Sequence, residues 1–185
     1  SLGLAKMHAL VEVAERLFTQ SSFFEVSVSD ICREAHTAVG TFYIYFETKT
    51  DIYRYLVQDY QRRIKRSLSE SIAGCTSRYE RERAGIKSFV RFSVNNPNVY
   101  HIVWGSLAVE KQLFEGYYMS FADSYARALQ ADQAELANDD IMSLAYMLMG
   151  IASFLGLRGM FENMSEEQID AMVDGAIMPI LKKGL

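Results

Sequence analysis

Apolar residues in almost every segment of this chain recur three and four positions apart, the spacing that lines one face of an α-helix. The stripe in the last segment consists of Ile169, Met172, Val173, Ala176, Ile177, Ile180 and Leu181. No run of alternating apolar and polar residues is long enough to require a β-strand. The spacing therefore predicts an all-α fold of about nine helices.

Length and composition narrow the class of protein further. A chain of 185 residues that is 50% apolar builds a core of its own, which excludes a disordered protein. Two cysteines exclude a disulfide scaffold and an all-cysteine zinc site. No charged segment followed by an apolar one opens the chain, so we expect no secretory signal and a cytoplasmic location. The net charge of −4, taken alone, argues against nucleic-acid binding.

One stretch tests the expectation of a soluble protein. Residues 141–157 contain no charged side chain, a length at the lower edge of a membrane span. The stretch is interrupted by two serines and two glycines, and it stands alone in the sequence. We therefore predict a helix buried on most of its sides and no association with a membrane.

The segment from residue 27 to residue 52 has the pattern of a helix-turn-helix. Ser27 and Asp30 have the spacing of a capping box at the start of a short helix. A second short helix follows, in which Phe42 and Phe46 share one face, and a longer helix precedes both. The phenylalanines are expected to hold the second short helix against its neighbours. Thr41, Ile44 and Tyr45 lie on the other side of this helix, where they can enter a DNA major groove.

This segment resembles the DNA-binding domain of the TetR/AcrR family of bacterial transcription regulators. The matching residues are Phe18, Ile31, Ala35, Gly40, Thr41, Phe42, Tyr43, Tyr45, Phe46, Lys49 and Ile52. The resemblance implies a DNA-binding domain at residues 1–48 and a ligand-binding and dimerisation domain at residues 49–185. It further implies a homodimeric regulator, most simply a repressor that a small apolar or aromatic ligand releases from a palindromic operator on double-stranded DNA.

The resemblance also implies which residues contact DNA. They are Val39, Thr41, Tyr43, Tyr45 and Lys49. Residue chemistry adds Gly40, which lets the backbone approach DNA closely, and Ser27, whose hydroxyl or amide suits a phosphate oxygen.

Two positions depart from the pattern of the family. His36 stands where the family usually has a glycine, so we expect a left-handed backbone there. Ala38 stands where the family usually has a serine N-cap, and we expect Thr37 to cap the recognition helix instead.

The second half is rich in aromatic residues and methionines, which suit an effector site for an aromatic molecule or an acyl chain. The predicted ligand-binding residues are Phe89, Phe92, Tyr100, Trp104, Phe114, Tyr118, Phe121, Tyr125, Tyr146, Met149 and Phe154. The last two helices carry more apolar residues than one core needs, which predicts a four-helix interface between two copies. The predicted interface residues are Ile141, Leu144, Leu148, Ala152, Leu155, Met172, Val173, Ala176, Ile177 and Ile180.

Two other interpretations are compatible with the sequence. Residues 1–52 hold 4 Lys and Arg against 7 Asp and Glu, which fits a helical interaction module that has lost DNA binding. An enzyme is the weaker alternative, because the chain has no nucleophile-elbow, phosphate-loop, dinucleotide-binding or zinc-protease motif. Its three histidines and two cysteines lack metal-ligand spacing. We therefore expect no enzymatic activity, no metal and no cofactor.

Overall fold

The computed structural model describes residues 2–131 and 140–184, and over these ranges every regular element is a helix. The α-helices are α1 (Leu2–Gln20), α2 (Val28–Glu34), α3 (Val39–Tyr45), α4 (Lys49–Ile72), α5 (Arg78–Asn95), α6 (Val99–Val109), α7 (Lys111–Ala131), α8 (Ile141–Phe161), α9 (Glu166–Met172) and α10 (Met178–Gly184). A π-helical turn joins α9 to α10, so these two form one continuous helix. The predicted all-α fold of about nine helices is thereby confirmed.

Side-chain caps start several of the helices. Ser27 and Asp30 form the predicted capping box of α2, in which each side chain bonds the other residue's amide. Ser165 and Gln168 do the same for α9, and the Asp140 carboxylate accepts the amide N–H of Ser143 at the start of α8. These caps satisfy amide groups that the first turn of a helix leaves without a partner.

Asn96 ends helix α5. Its side-chain amide donates to the carbonyl of Phe92 at 2.8 Å, which closes α5, and α6 begins only at Val99 after Asn98. The proline at position 97 explains this arrangement, because a residue that precedes proline is driven away from the helical region. Asn96 accordingly has φ −133° and ψ 68°.

The π-helical turn, Val173–Ile177, lies just ahead of Pro179. Proline has no N–H, so Pro179 leaves the carbonyl of Gly175 without its ordinary helical donor, and its ring crowds that carbonyl. The irregularity of the last helix is therefore located in the turn before the proline.

The chain packs into two compact units. Unit 1 consists of the residues up to 61 together with residues 98–117, and unit 2 consists of residues 62–97 together with the residues from 118 onwards. Packing thus groups α1 to α3 with the first half of α4 and with α6. The functional division expected at residues 48 and 49 stays a prediction.

An aromatic cluster forms the centre of unit 1. The ring of Phe18 lies 5.2 Å from that of Tyr53 and 5.5 Å from that of Phe23, measured between centroids. Phe18 and Tyr53 are buried, and the Tyr53 hydroxyl donates to the carbonyl of Ile102 at 2.8 Å. Rings at these separations bury large apolar areas and interact favourably with one another.

The core of unit 2 is mainly aliphatic and lies where α5 packs on α8. The two helices approach closely at Gly159, where an added Cβ would lie 2.8 Å from Cγ1 of Val90 and 3.2 Å from Cγ2 of Val94. Glycine is required there because a side chain would collide with the facing helix.

Helix α8 is less buried than its sequence led us to expect. Only 28% of its most apolar stretch is buried, and the expectation of a helix buried on most sides is wrong. By length and composition α8 resembles a membrane span, a test that core helices of soluble proteins also pass. Its exposed apolar residues are Met142, Tyr146, Met147, Phe154 and Phe161.

Candidate functional site

Helices α2 and α3 form a helix-turn-helix in unit 1. His36, in the turn between them, has φ 51°, so the left-handed backbone predicted for this position is confirmed. The amide of His36 donates to the carbonyl of Arg33, and that of Thr37 donates to the carbonyl of Cys32. These bonds close α2 and fix the direction in which α3 begins.

Helix α3 begins without a side-chain cap. Its N-cap residue is Ala38, and no side chain bonds the amides of the first turn, so the predicted cap by Thr37 is wrong. Thr37 lies one position too early, within the turn that closes α2. A seven-residue helix without a cap depends on tertiary contacts for its stability, and Phe42 provides them.

The inner and outer faces of α3 differ as the sequence predicts. Phe42 and Phe46 are buried against each other, with ring centroids 5.6 Å apart. On the outer face Val39 is 43% exposed, Tyr43 56% and Ile44 74%. Gly40 is also exposed, and a Cβ added to it would meet nothing within 4 Å, so the outer face is open to a partner.

Tyr45 and Lys49 are hydrogen-bonded inside unit 1. The Tyr45 hydroxyl donates to the carbonyl of Gly3 at 2.9 Å. The Lys49 ammonium donates to the carbonyls of Phe23 at 2.6 Å and Val26 at 2.7 Å, and it lies 4.2 Å from the centroid of the Phe23 ring. Burial lowers the pKa of Lys49. Both side chains, expected at the DNA, therefore brace the helix-turn-helix from within.

Ser27 is exposed but is also bonded within the unit. Its amide N–H donates to the Asp30 carboxylate at 3.0 Å, and its hydroxyl contacts the same carboxylate. These two bonds, with a smaller contribution from Arg33, lower the pKa of Asp30 to about 2. An anion thus already lies at the start of α2, where a phosphate oxygen was expected.

Several cations of unit 1 face carboxylates. Arg16 pairs with Glu34, and Arg33 pairs with Asp30 at 2.6 Å. Arg54 contacts both Asp51 and Glu110, each at 2.6 Å. These pairs reduce the positive charge that the unit presents to solvent. The Glu15 carboxylate accepts from two neutral donors, the Tyr60 hydroxyl and the side-chain amide of Asn98.

Known proteins are similar to this chain in sequence and in structure. Residues 10–56 match the family model described as bacterial regulatory proteins, tetR family. The uncharacterised HTH-type transcriptional regulator YdgC of Bacillus subtilis is 32% identical over 72 residues, which is 39% of this chain and 36% of that relative. The chain therefore spans little more than a third of the length of this curated relative.

Two solved structures extend the similarity to nearly the whole chain. A TetR-family transcriptional regulator from Syntrophomonas wolfei has a TM-score of 0.81 and 22% identity, over 97% of this chain and 96% of that one. The regulator FadR of Bacillus subtilis, solved in complex with stearoyl-CoA, has a TM-score of 0.74 and 17% identity, over 97% and 99%. At these identities the likeness establishes the fold.

Residues 10–56 form a domain of the TetR family. This family is described as bacterial regulatory proteins, which agrees with the predicted DNA-binding transcription regulator. The family match covers α2 and α3, the elements in which the sequence predicted the DNA contacts.

The predicted effector-binding residues of this TetR-family protein are divided between the two units. Tyr100, Trp104 and Phe114 lie in unit 1, where the rings of Tyr100 and Trp104 are 5.4 Å apart. The other eight lie in unit 2, and there Tyr146 and Phe154 are exposed. Six are half-buried, namely Phe89, Phe92, Tyr118, Phe121, Tyr125 and Met149.

A cleft of about 430 Å³ opens in unit 2 between the end of α4 and α5. Of the predicted ligand-binding residues only Phe92 lines it, and the Arg63 guanidinium lies 5.5 Å from the centroid of that ring. The other residues that line the cleft are polar: Ser67, Glu70, Ser71, Ser88, Arg91, Asn95 and Asn96. The cleft therefore differs in chemistry from the apolar site that the sequence predicted.

A buried polar cluster in unit 2 was missed in the sequence. Arg78 and Glu82 are 4% and 5% exposed, and Nη2 of Arg78 lies 3.2 Å from Oε1 of Glu82. The Tyr125 hydroxyl donates to the same carboxylate, and burial, together with that carboxylate, raises the pKa of Tyr125 well above its usual value. Nε and Nη1 of Arg78 have no hydrogen-bond partner among the described residues. The four-residue spacing of Arg78 and Glu82 was the available signal.

A ladder of ion pairs joins α5 to the last helix of unit 2. Three cations on α5 meet three carboxylates, each set spaced four residues apart along its helix. The cations are Arg83, Lys87 and Arg91, and the carboxylates are Glu166, Asp170 and Asp174. Hydrogen bonds from Arg83, with further contributions from Lys87, lower the pKa of Asp174 to about 2. We call this set the α5 ladder.

The residues predicted for the dimer interface have different environments. Ile141, Leu144, Leu148, Met172 and Val173 are buried in the core of unit 2, so the chain itself already covers them. Ala152, Leu155 and Ile177 pack against that core, whereas Ala176 and Ile180 are exposed. The dimer interface itself stays a prediction. Because these helices are apolar on several sides, the sequence could not show which residues the chain's own core already covers.

Proposed function

We propose that this TetR-family protein binds double-stranded operator DNA through unit 1 and represses transcription in the bacterial cytoplasm. The exposed outer face of α3 carries the proposal, because it is the surface that a helix-turn-helix inserts into a major groove. The proposed contacts from that face are Val39, Gly40, Tyr43 and Ile44. Thr41 is half-buried beside them, and Tyr45, Lys49 and Ser27 act mainly by fixing the position of α3.

The protein acts as a homodimer on a palindromic operator. The exposed apolar residues of α8, together with Ile180, form a surface suited to a second copy of the chain. Burial of residues such as Phe154 and Ile180 against a partner would remove large apolar side chains from water. Two-fold symmetry then presents two copies of α3 to successive turns of the major groove.

A small apolar or aromatic effector, bound in unit 2, releases the operator. Half-buried aromatic residues there supply the necessary apolar contacts, and the structurally similar FadR of Bacillus subtilis is known in complex with stearoyl-CoA. Within unit 1 the first half of α4 is joined to α6 by the bonds from Tyr53 to Ile102 and from Arg54 to Glu110. A displacement of α6 within unit 1 would therefore be transmitted to α4, the helix that follows the helix-turn-helix.

Binding to DNA from the protein's own promoter region tests this function. Fluorescence anisotropy is measured with labelled promoter fragments and with scrambled duplexes of equal length. We expect preference for one promoter fragment and, because the cations of unit 1 are largely paired, weak binding to scrambled DNA with a shallow salt dependence. Equal affinity for both duplexes at physiological salt would contradict the proposal and favour a helical interaction module.

The oligomeric state is tested separately by sedimentation at micromolar concentration. The Phe154→Glu variant places a charge on the exposed side of α8 and is expected to sediment as a monomer. Leu107→Glu, at an exposed position on α6, is the control and should leave the dimer intact. A monomeric wild-type protein would rule out the proposed dimer.

A further inference from the structure

We propose that α3 selects its operator chiefly by apolar contacts with the methyl groups of thymine, made by Val39 and Ile44. This inference rests on the proposed DNA binding and specifies how the bases are distinguished. It predicts a half-site in which thymines at particular positions are essential for their methyl groups. Hydrogen bonds to base edges would then have a minor part in recognition.

The composition of α3 limits the contacts that it can make with bases. Its sequence is VGTFYIY, which contains no Arg, Lys, Asn, Gln, Asp or Glu. The side chains that form paired hydrogen bonds with guanine or adenine in the major groove are therefore absent from the helix. Recognition by α3 is limited to single hydrogen bonds and to apolar contacts.

Two apolar residues of α3 are exposed to solvent. Ile44 is 74% exposed and Val39 is 43% exposed, whereas Phe42 is fully buried. Exposed β-branched side chains on a short helix are unfavourable in water, and an apolar partner would remove them from it. In the major groove the C5-methyl group of thymine is such a partner.

Three polar groups at and after the end of α3 are bonded within unit 1. The Tyr45 hydroxyl and the Lys49 ammonium donate to backbone carbonyls within unit 1. The Thr48 hydroxyl donates to the Asp51 carboxylate at 2.8 Å. These three groups are thus held in the protein's own bonds. In α3 the half-buried Thr41 hydroxyl can offer a base edge a single hydrogen bond, and the larger exposed contacts fall to Val39 and Ile44.

The Tyr43 hydroxyl has a different part. Tyr43 is 56% exposed, and its ring packs edge-on against Phe42 with centroids 5.4 Å apart. A phenolic hydroxyl held in this way suits a phosphate oxygen at the edge of the groove. Such a contact fixes the register of α3 on the duplex without distinguishing one base pair from another.

The experiment begins with the full chain and a library of random 30-base-pair duplexes. Repeated selection gives a preferred half-site, and each thymine in it is then replaced in turn by deoxyuracil, which lacks only the methyl group. Since one buried methyl group corresponds to about a fourfold change in affinity, we expect a loss of about fourfold at one or two positions of each half-site. Thymines elsewhere in the duplex should tolerate the replacement.

Two variants assign the effect to the protein. Val39→Ala and Ile44→Ala should each bind the thymine duplex more weakly, and each should lose the distinction between thymine and uracil at one position. Leu107→Ala, at an exposed leucine on α6, is the matched control and should keep the distinction. Because Val39 and Ile44 are exposed, the melting temperature of both variants should stay close to that of the wild type.

The possible failures are distinguishable. A selected half-site that tolerates uracil at every position would overturn the thymine-methyl proposal and leave the proposed DNA binding intact. Retention of the thymine preference in both alanine variants would have the same meaning. The absence of any enriched sequence would instead overturn the proposed DNA binding, and with it this inference.

Discussion

Units 1 and 2 use their long polar side chains in different ways. In unit 1, Tyr45, Lys49 and Tyr53 each donate to a backbone carbonyl and hold the helices around the recognition helix in place. In unit 2, cations on α5 meet carboxylates on the last helix, as in the pair between Arg83 and Asp174 at 2.6 Å. Unit 1 therefore combines bonds to neutral carbonyls with separate ion pairs such as that between Arg33 and Asp30, whereas unit 2 contains a row of mutually dependent charges.

This difference changes the role of the charged residues. In a DNA-binding unit, lysines and arginines are normally expected at phosphates. Here Lys49 supports the loop before α2, and Arg16 and Arg33 face carboxylates. The recognition surface is left with apolar side chains. We expect the pH dependence of the free energy of unfolding to come largely from the ion pairs.

Removal of one member of the buried pair in unit 2 should have the largest effect. Glu82→Ala leaves the Arg78 guanidinium buried without a counter-charge and removes the acceptor of the Tyr125 hydroxyl. We expect the free energy of unfolding to fall by about 3–5 kcal/mol, measured by urea denaturation. The double variant Arg78→Met/Glu82→Leu, which removes both charges, is the control and should lose much less. An equal loss in both proteins would show that packing, and not charge, determines the result.

The sequence could predict features that depend on neighbours along the chain. The inward faces of Phe42 and Phe46 followed from their four-residue spacing, and the left-handed backbone of His36 followed from the geometry of the turn. It could not predict the bonds of Lys49, because a flexible lysine reaches its partner only once Phe23 and Val26 have been brought close by folding.

Helix α8 illustrates a second feature that the sequence could not predict, namely which of its apolar residues are buried. Residues such as Leu148 and Phe154 are both apolar, yet one is fully buried and the other largely exposed. A helix that is apolar on several sides carries no pattern that distinguishes the core from an external interface. Composition therefore identified α8 as important for packing, and the structure was needed to determine its outward side.

Substitution of Lys49 should have the next largest effect. Lys49→Met keeps the length of the side chain but removes both hydrogen bonds to the carbonyls of Phe23 and Val26. We expect the free energy of unfolding to fall by about 2–3 kcal/mol, since bonds from a charged donor are among the stronger ones. The measurement is chemical denaturation followed by circular dichroism.

Lys6→Met is the comparison, because Lys6 is an exposed lysine of the same unit. It should leave stability almost unchanged. If Lys49→Met instead kept full stability and only reduced the salt dependence of DNA binding, Lys49 would be a phosphate contact, and the contrast between the units would weaken.

Two glycines of α8 provide the third test. In Gly159→Ala the new methyl group would lie 2.8 Å from Cγ1 of Val90, whereas in Gly150→Ala it would meet nothing within 4 Å. We expect Gly159→Ala to lower the free energy of unfolding by about 1–3 kcal/mol. Gly150→Ala should raise it by about 0.5–1 kcal/mol, because alanine favours the helix. Thermal unfolding of both variants gives the comparison, and a stabilised Gly159→Ala protein would contradict the close packing of α5 on α8.

The smallest expected effect concerns the α5 ladder and its dependence on pH. Bonds from Arg83 and Lys87 lower the pKa of Asp174 to about 2 from an ordinary value of 3.8. The folded protein therefore binds this proton less readily than the unfolded chain, and the stabilisation is present above about pH 4 and is lost as the pH falls towards 2. As the pH falls from about 4 to 2, Asp174→Asn should lose less free energy of unfolding than the wild type. The difference should be about 1 kcal/mol or less, because the Asp174 carboxylate is partly exposed and screened by solvent.

Equilibrium denaturation between pH 2 and pH 6 measures this dependence directly. Glu167→Gln, at an exposed carboxylate of the same helix, is the matched control and should keep the wild-type curve. Asp30 in unit 1, whose pKa is also lowered to about 2, is present in both proteins. Its contribution therefore cancels in the difference between the Asp174→Asn and wild-type curves. If the two curves were parallel over this range, the ladder would add nothing to the pH dependence, and the acid sensitivity would have to be assigned to carboxylates such as Asp30.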